Sequence, residues 1–208
     1  MDKNSACTIY LVRHGETEWN REGRLQGHKD SSLTPKGEEQ AAQTAQKLKE
    51  VKFDAIFSSD LIRAKRTAEI IKLERELEVV TTKALRERNF GHHEGKLVKD
   101  YYNDIKDLLE DYNRLPDEQK WQFKFADRYE SDHDLVTRWI TRLREIAVAY
   151  SGKTILIVAH GTAIKIFLAK IGYIKYDNIR KVYVPNAAYI KLISDGVDFK
   201  VEEASGLL

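Results

Sequence analysis

Two histidines in this chain each close an apolar, β-branched run and stand directly before a glycine: Ile9-Tyr-Leu-Val-Arg13-His14-Gly15 and Thr154-Ile-Leu-Ile-Val-Ala-His160-Gly161. Such runs read as buried strands, and the glycine breaks each one. The strand ends then present an imidazole, and at the first also the guanidinium of Arg13, at the carboxyl edge of a sheet. Open α/β sheets bind ligands at that edge. A third segment, Ser58-Ser59-Asp60-Leu61-Ile62-Arg63, leads into a helical pattern with a second arginine near its start. Cations and imidazoles in this combination suit a phosphate monoester. That dianion needs positive charge and donors around its three oxygens, and a nucleophile in line with the leaving oxygen. Guanidinium is planar, always charged and binds phosphate through two hydrogen bonds, so Arg13 and Arg63 suit a clamp. A neutral imidazole is available near pH 7, since its ordinary value is ~6.5. It forms a covalent intermediate that divides one hard step into two, so His14 suits the nucleophile. The fragment around His14 taken alone is equally compatible with a solvated strand end.

The separated blocks Leu11-Val-Arg-His-Gly-Glu-Thr-Glu-Trp-Asn20, Ser58-Ser-Asp-Leu-Ile-Arg-Ala-Lys-Arg-Thr-Ala68, Leu85-Arg-Glu87 and Val158-Ala-His-Gly161 occur in order along the chain. Together they resemble the histidine phosphatase superfamily, the phosphoglycerate mutase-like proteins, from about Thr8 to about Tyr189. The resemblance implies that His14 is the phosphorylated histidine and His160 the second histidine, which stabilises the transferring group. It also implies that Asn20 and Gln26, neutral donors on the loops after His14, bind substrate. Glu87, in a matching Leu-Arg-Glu context with Phe90-Gly91 and Glu94-Gly95, is the candidate general acid; the leaving alkoxide needs a proton, and the same carboxylate then activates water. The branch of the superfamily with His-Asp at the second histidine fits poorly, because His160 is followed by Gly161. The pair His133-Asp134 lies outside the matching blocks and reads as helix capping. Three positions depart from the family pattern: His93 where tryptophan is frequent, Thr162 where glycine or asparagine is common, and Lys165 where arginine is frequent. His93 could alter the polarity of the pocket, and the three together bear on substrate identity.

The elements that must position these groups follow from the periodicity. Thr34 is the expected N-cap and Pro35 the first residue of a helix whose apolar face is Ala41, Ala45 and Leu48. Asp54 to Phe57 reads as a second buried strand, and Ser58-Ser59-Asp60 as the cap of a helix from about Leu61 carrying Ile62, Ala64, Ala68 and Ile71. Val79 to Thr82 reads as a third strand. A helix with Leu135, Trp139, Leu143, Ile146 and Val148 turned inward precedes the strand Thr154 to Ala159, and Ile164, Phe167, Leu168 and Ile171 mark the helix after Gly161. Val182 to Val184 and Ala188 to Ile193 read as late strands. Strands alternating with helices imply a mainly parallel sheet covered on both faces, and the resemblance implies the same: a three-layer α/β/α sandwich. Residues from about Lys96 to Glu130 mix charged helix, Pro116 and a cluster of aromatics. They read as a small helical cap insertion in one domain spanning 1–208.

Composition bounds the remainder. Hydrophobic residues are 42% and charged residues 33% of 208, enough for a packed core. A net charge of +2 without a basic block argues against nucleic acid as the main partner. The N-terminus Met-Asp-Lys-Asn-Ser lacks an apolar signal core and no run is long enough to span a membrane, so a cytoplasmic protein is expected. Cys7 is the single cysteine, so no internal disulfide forms. The expected partner is a small-molecule phosphate monoester; monomer and homodimer both stay open. Gly23-Arg-Leu-Gln-Gly27, the compact cap and the brief tail resemble phosphatases more than mutases, which must shelter the phosphohistidine from water. The cap segment carries seven Lys/Arg against nine Asp/Glu, so a polyanionic substrate is not favoured. A phosphoglycerate mutase and a catalytically quiet binding member are the alternatives. A metal hydrolase built on His92, His93 and Glu94 has little support, since adjacent histidines on an irregular segment do not converge on one ion as HExxH does. No metal or cofactor is expected, because arginines replace its charge.

Overall fold

The apolar runs pair into one six-stranded sheet. In the computed structural model, which describes residues 5–73 and 75–206, the strands are β1 (Cys7–Arg13), β2 (Ala55–Ser59), β3 (Val79–Thr82), β4 (Thr154–Ala159), β5 (Tyr189–Ser194) and β6 (Phe199–Ala204). Residues 1–4 of the N-terminus read above for a signal core lie outside the described residues. The order is β3-β2-β4-β1-β5-β6. The first four strands are parallel, while β5 and β6 are antiparallel to their neighbours.

Two-residue alternation sends successive side chains of β4 to opposite faces. Ile155, Ile157 and Ala159 join Ile9, Leu11 and Phe57 in one cluster. That cluster is completed by Trp139 and Leu143 of α7 (Asp132–Ala149) and by Ile164 and Phe167 of α8 (Gly161–Lys170). Leu156 and Val158 turn the other way, with Val12 and Ile56, onto Ala45 of α2 (Pro35–Lys47) and Ala64, Ala68 and Ile71 of α3 (Ile62–Lys72). These are the three layers that the periodicity and the resemblance imply. Thr34 caps α2 as expected: its Oγ1 accepts from Gly37 N–H at 3.0 Å, with Pro35 in the first turn.

Between β3 and α7 lie α4 (Val98–Asp104), α5 (Lys106–Arg114) and α6 (Asp117–Lys120). Tyr101 of α4 joins Phe90, Ile105, Phe125 and Tyr129 in a separate cluster, against which Leu109 and Tyr112 of α5 pack. This is the segment read from the sequence as a cap.

Four local expectations are corrected. Residues 182–184 are not a strand but part of an irregular approach to β5. The strand β6 follows instead, unread in the sequence because Phe-Lys-Val-Glu-Glu-Ala looks like a solvated turn rather than a core run. Helix α3 has Leu61 as its N-cap with no side-chain cap bond, and Ile62 is 64% exposed. In α7 the inward residue near the C-terminus is Ala147 and not Val148, which is 65% exposed. The cap of α7 is Ser131, whose Oγ accepts from Asp134 N–H at 3.1 Å, so His133-Asp134 sits in the first turn rather than capping. Among the described residues, no helix is long and apolar enough to cross a membrane.

Candidate active site

Strands β1 and β4 are parallel neighbours with Arg13 opposite Ala159, so their carboxyl ends bring His14 beside His160. The two ring centroids are 5.3 Å apart. The His14 backbone N–H donates to Ala159 O at 2.9 Å. Its Nδ1 lies 2.7 Å from Gly15 O. A carbonyl only accepts, so Nδ1 carries the proton and Nε2 carries the lone pair. His14 is 3% exposed. Burial first, then the charges of Arg63 and Arg13, hold it well below the usual histidine range, which keeps it neutral at pH 7. The turn after His14 needs glycine. A Cβ on Gly15 would meet Gly37 O at 2.3 Å, and a Cβ on Gly37 would meet Glu16 O at 2.0 Å. Thr67 Oγ1 accepts from Gly15 N–H at 3.1 Å and donates to Arg63 O at 2.7 Å, tying α3 to the turn.

The arginines are held by oxygens of other segments. Arg13 Nη1 donates to Val184 O at 2.5 Å, and its Nε is buried without a partner. Arg63 is 1% exposed. It is not displayed as an open helix-end cation: Nη1 donates to Lys29 O at 2.9 Å and Asp30 Oδ1 at 2.8 Å, and Nη2 to Gly27 O at 2.8 Å. A guanidinium has five N–H groups. Nε–H, also buried and unpaired, and one N–H of Nη2 remain on one edge.

Glu87 sits on the N-terminus of α8. Its Oε1 accepts from Arg88 N–H at 2.8 Å and Ala163 N–H at 2.9 Å, and its Oε2 from Thr162 N–H at 3.0 Å. The first-turn amides and dipole of a helix favour a carboxylate there. Oε2, with a single donor, has room for a proton. The segment before it is clamped by Arg138 of α7. That side chain donates to the carbonyls of Ala84, Arg86 and Glu87 at 2.9, 2.8 and 2.8 Å and pairs with Glu130.

Asn20, Gln26, Arg13, His14, Arg63 and Glu87 line one cavity of about 210 Å³. Asn20 lies not on a loop but in the short helix α1 (Glu18–Arg21); its Oδ1 accepts from Thr17 N–H at 3.2 Å and Asn186 Nδ2 at 3.3 Å, and among the described residues its amide donor has no partner. Gln26 is buried with Oε1 unpaired. His160 stands behind His14, at the floor of this cavity rather than in its open wall. It is fully buried beside His14 with both ring nitrogens unpaired, and burial, then Arg63, holds it well below the usual range.

Of the departures, Thr162 and Lys165 line the cavity, whereas His93 does not. His93 is buried against Tyr101, ring centroids 5.1 Å apart. Glu94 does not join it as a ligand pair: its oxygens accept from the N–H groups of His28, Lys29 and Phe90 at 2.8, 3.0 and 3.1 Å. Among the described residues, no three His, Cys, Asp or Glu side chains are grouped to hold a metal ion. Sequence reasoning missed Arg24 and Tyr183 in the cavity wall, Asp30 on Arg63, Asn186 on His14 O at 3.1 Å, and Arg138. Only Asp30 and Arg24 had a signal, as charged residues in a polar loop.

The chain matches the profile of the Histidine phosphatase superfamily (branch 1) over residues 9–205. It is 37% identical over 163 residues to a Bacillus subtilis protein named Uncharacterized phosphatase PhoE, covering 78% of this chain and 76% of that one. It is 38% identical over 162 residues to Escherichia coli proteins named Probable phosphoglycerate mutase GpmB, covering 75% of this chain and 70% of those. The solved structure of YhfR from Bacillus stearothermophilus superposes with a TM-score of 0.82 at 31% identity, covering 94% of this chain and 95% of that one. The chain belongs to the histidine phosphatase superfamily, branch 1.

Proposed function

We propose that this protein is a phosphatase of small phosphate monoesters that works through a phosphohistidine at His14. One observation carries the reading. Arg13 Nε, Arg63 Nε and both ring nitrogens of His160 are buried and unpaired around an imidazole whose Nδ1 is already engaged. Buried polar groups are nearly always paired, and a phosphoryl group offers oxygens to several donors at once.

In the first step the Nε2 lone pair of His14 attacks phosphorus. The P–N bond forms and the ester P–O bond breaks, its electron pair remaining on the leaving oxygen. Glu87 gives the leaving oxygen a proton, the one that its Oε2 takes back from water at the end of each cycle, so a neutral alcohol departs. Arg13, Arg63 and a ring N–H of His160 donate to the phosphoryl oxygens, and Asn20 and Gln26 complete the binding set. In the second step water attacks phosphorus and gives its proton to the Glu87 carboxylate. The P–N bond breaks, its pair returns to Nε2, and inorganic phosphate leaves. Arginine charge takes the place of a metal ion in both steps, so neither metal nor cofactor enters the scheme. Helices α4 to α6 act as the cap of a single domain, inserted at about 96–130. The cytoplasmic address expected from the sequence belongs to this reading. Its one cysteine, Cys7, is buried in β1, and burial pushes that thiol up to about 12, which keeps it inert.

Rapid quench with labelled substrate tests the scheme. Wild-type protein is expected to trap phosphate that is labile in acid and stable in base, and to release inorganic phosphate without a bisphosphate activator. Full activity in His14→Ala would overturn the phosphohistidine. Fast interconversion of phosphoglycerates that depends on an activator would establish the mutase reading instead.

A further inference from the structure

A second cavity of about 250 Å³ adjoins the first. Leu25, Phe90, Val98, Thr162 and Lys165 line both, so the two spaces meet at these residues. The wall there is aromatic, with Tyr101, Tyr112, Phe123, Phe125 and Tyr129 among its residues. Its polar groups are turned onto each other. Arg88 pairs with Asp132 and donates to Tyr129 Oη at 3.0 Å; Tyr176 Oη donates to Asp132 at 2.7 Å; Tyr112 Oη donates to Tyr176 Oη at 3.2 Å. Lys120 pairs with Asp117 at 3.0 Å. What this wall offers a ligand is therefore mostly ring faces and edges.

Two cations of the wall have no acidic partner among the described residues: Arg180, exposed and stacked on the Tyr112 ring, and Lys165. Lys165 is the one charged residue common to both cavities. Among the described residues, its ammonium makes no hydrogen bond or ion pair. Burial holds it below the usual lysine range; Glu87 opposes the shift, and Arg13, Arg88 and Arg180 add to it. Glu87 is already engaged by three backbone N–H groups. A half-buried cation among cations is costly unless an anion meets it.

Resting on the phosphatase reading above, we propose that the second cavity takes the leaving group of the substrate. That group carries a flat apolar body, such as an aromatic ring, and one carboxylate close to the ester oxygen, and Lys165 is the residue that recognises the carboxylate. A second phosphate fits less well. Arg88 and Lys120 are neutralised by aspartates, and Arg180 is stacked 4.7 Å from the Tyr112 ring centroid. Arg180 lines the second cavity alone and lies exposed, so at the junction of the two cavities Lys165 is the one cation without an acidic partner, which suits one further negative charge close to the ester oxygen.

Binding of phosphonates, which cannot be hydrolysed, tests this directly. Benzylphosphonate is compared with its 2-carboxy and 3-carboxy derivatives by titration calorimetry. At least one carboxy derivative is expected to bind wild-type protein about tenfold or more tightly than the parent, the equivalent of one hydrogen bond to a charged group. The preference is expected to fall below about threefold in Lys165→Met and to survive in Lys165→Arg. Lack of any preference in wild type, or a preference undiminished in Lys165→Met, would overturn the assignment. The wild-type comparison stands even if the methionine variant fails to fold. Turnover of phenyl phosphate measured alongside keeps the two readings apart: no turnover counts against the phosphatase, while the phosphonate ratio reports on Lys165 alone.

Discussion

Replacing Glu87 by glutamine separates proton donation from architecture, provided the architecture is counted first. Both carboxylate oxygens accept backbone N–H bonds, two at Oε1 and one at Oε2. Glutamine has one oxygen and one NH2. The better orientation keeps its oxygen on Arg88 and Ala163 N–H and turns NH2 toward Thr162 N–H, 3.0 Å from the present oxygen. One bond is lost and two donors face each other in a buried place, a cost of about 1–3 kcal/mol. For a chain of this size that lowers Tm by roughly 2–12 °C. The disturbance of the α8 N-terminus acts on any substrate. The missing proton does not. An alkyl phosphate leaves as a strongly basic alkoxide and is expected to lose on the order of 10²–10⁴-fold in the rate of His14 phosphorylation. A nitrophenyl phosphate leaves as a stabilised phenolate and is expected to lose only the share due to the altered helix end. Single-turnover rates with both esters, in both proteins, give the ratio of the two losses, from which the structural share cancels. Arg63→Ala serves as the contrast, with equal losses for both. Equal losses in Glu87→Gln would refute the proton donor and leave Glu87 as a cap of α8.

Three further outcomes are expected. Arg138→Met removes the donors to three carbonyls of the 84–87 segment. It is therefore expected to lower kcat on alkyl esters roughly tenfold, with a smaller change on the nitrophenyl ester. Arg138→Lys, lacking the fork, is expected to rescue little; an equal fall on both esters would make the residue merely structural. His14 and His160 are held well below the ordinary histidine value, and His28 and His93 below it, each chiefly by burial. The unfolded chain then binds protons that the folded chain refuses below about pH 6.5, so stability is full above that value. It is lost as pH falls, by up to about 1.4 kcal/mol per pH unit for each such histidine, until the folded-state values are reached. Denaturant midpoints from pH 7.5 to 5 check this, and a flat profile would contradict the buried neutral imidazoles. EDTA is expected to leave the hydrolysis rate unchanged; a loss restored by zinc would revive a metal centre.

What the sequence alone determined is what side-chain type and spacing encode. Apolar β-branched runs ending in His-Gly placed His14 and His160 at strand ends. Thr34-Pro35 announced the start of α2, and alternating elements implied a parallel core with helices on both faces. The tertiary structure decided everything that passes through the backbone. Peptide N–H and C=O groups are the same at every residue, so no pattern foretells that Glu87 rests on the amides of Thr162 and Ala163. Nor does one foretell that Arg63 is held by the carbonyls of Gly27 and Lys29, or that Arg13 reaches the carbonyl of Val184, in a stretch that reads as a strand and is not one. Edge strand β6 escaped notice because an edge carries charge without cost, so its composition is that of a loop. The pairing state of Lys165 is likewise invisible in the chain. A lysine is solvated on most surfaces, and only packing between two cavities leaves this one half-buried with three arginines within electrostatic reach and its carboxylate neighbour already engaged.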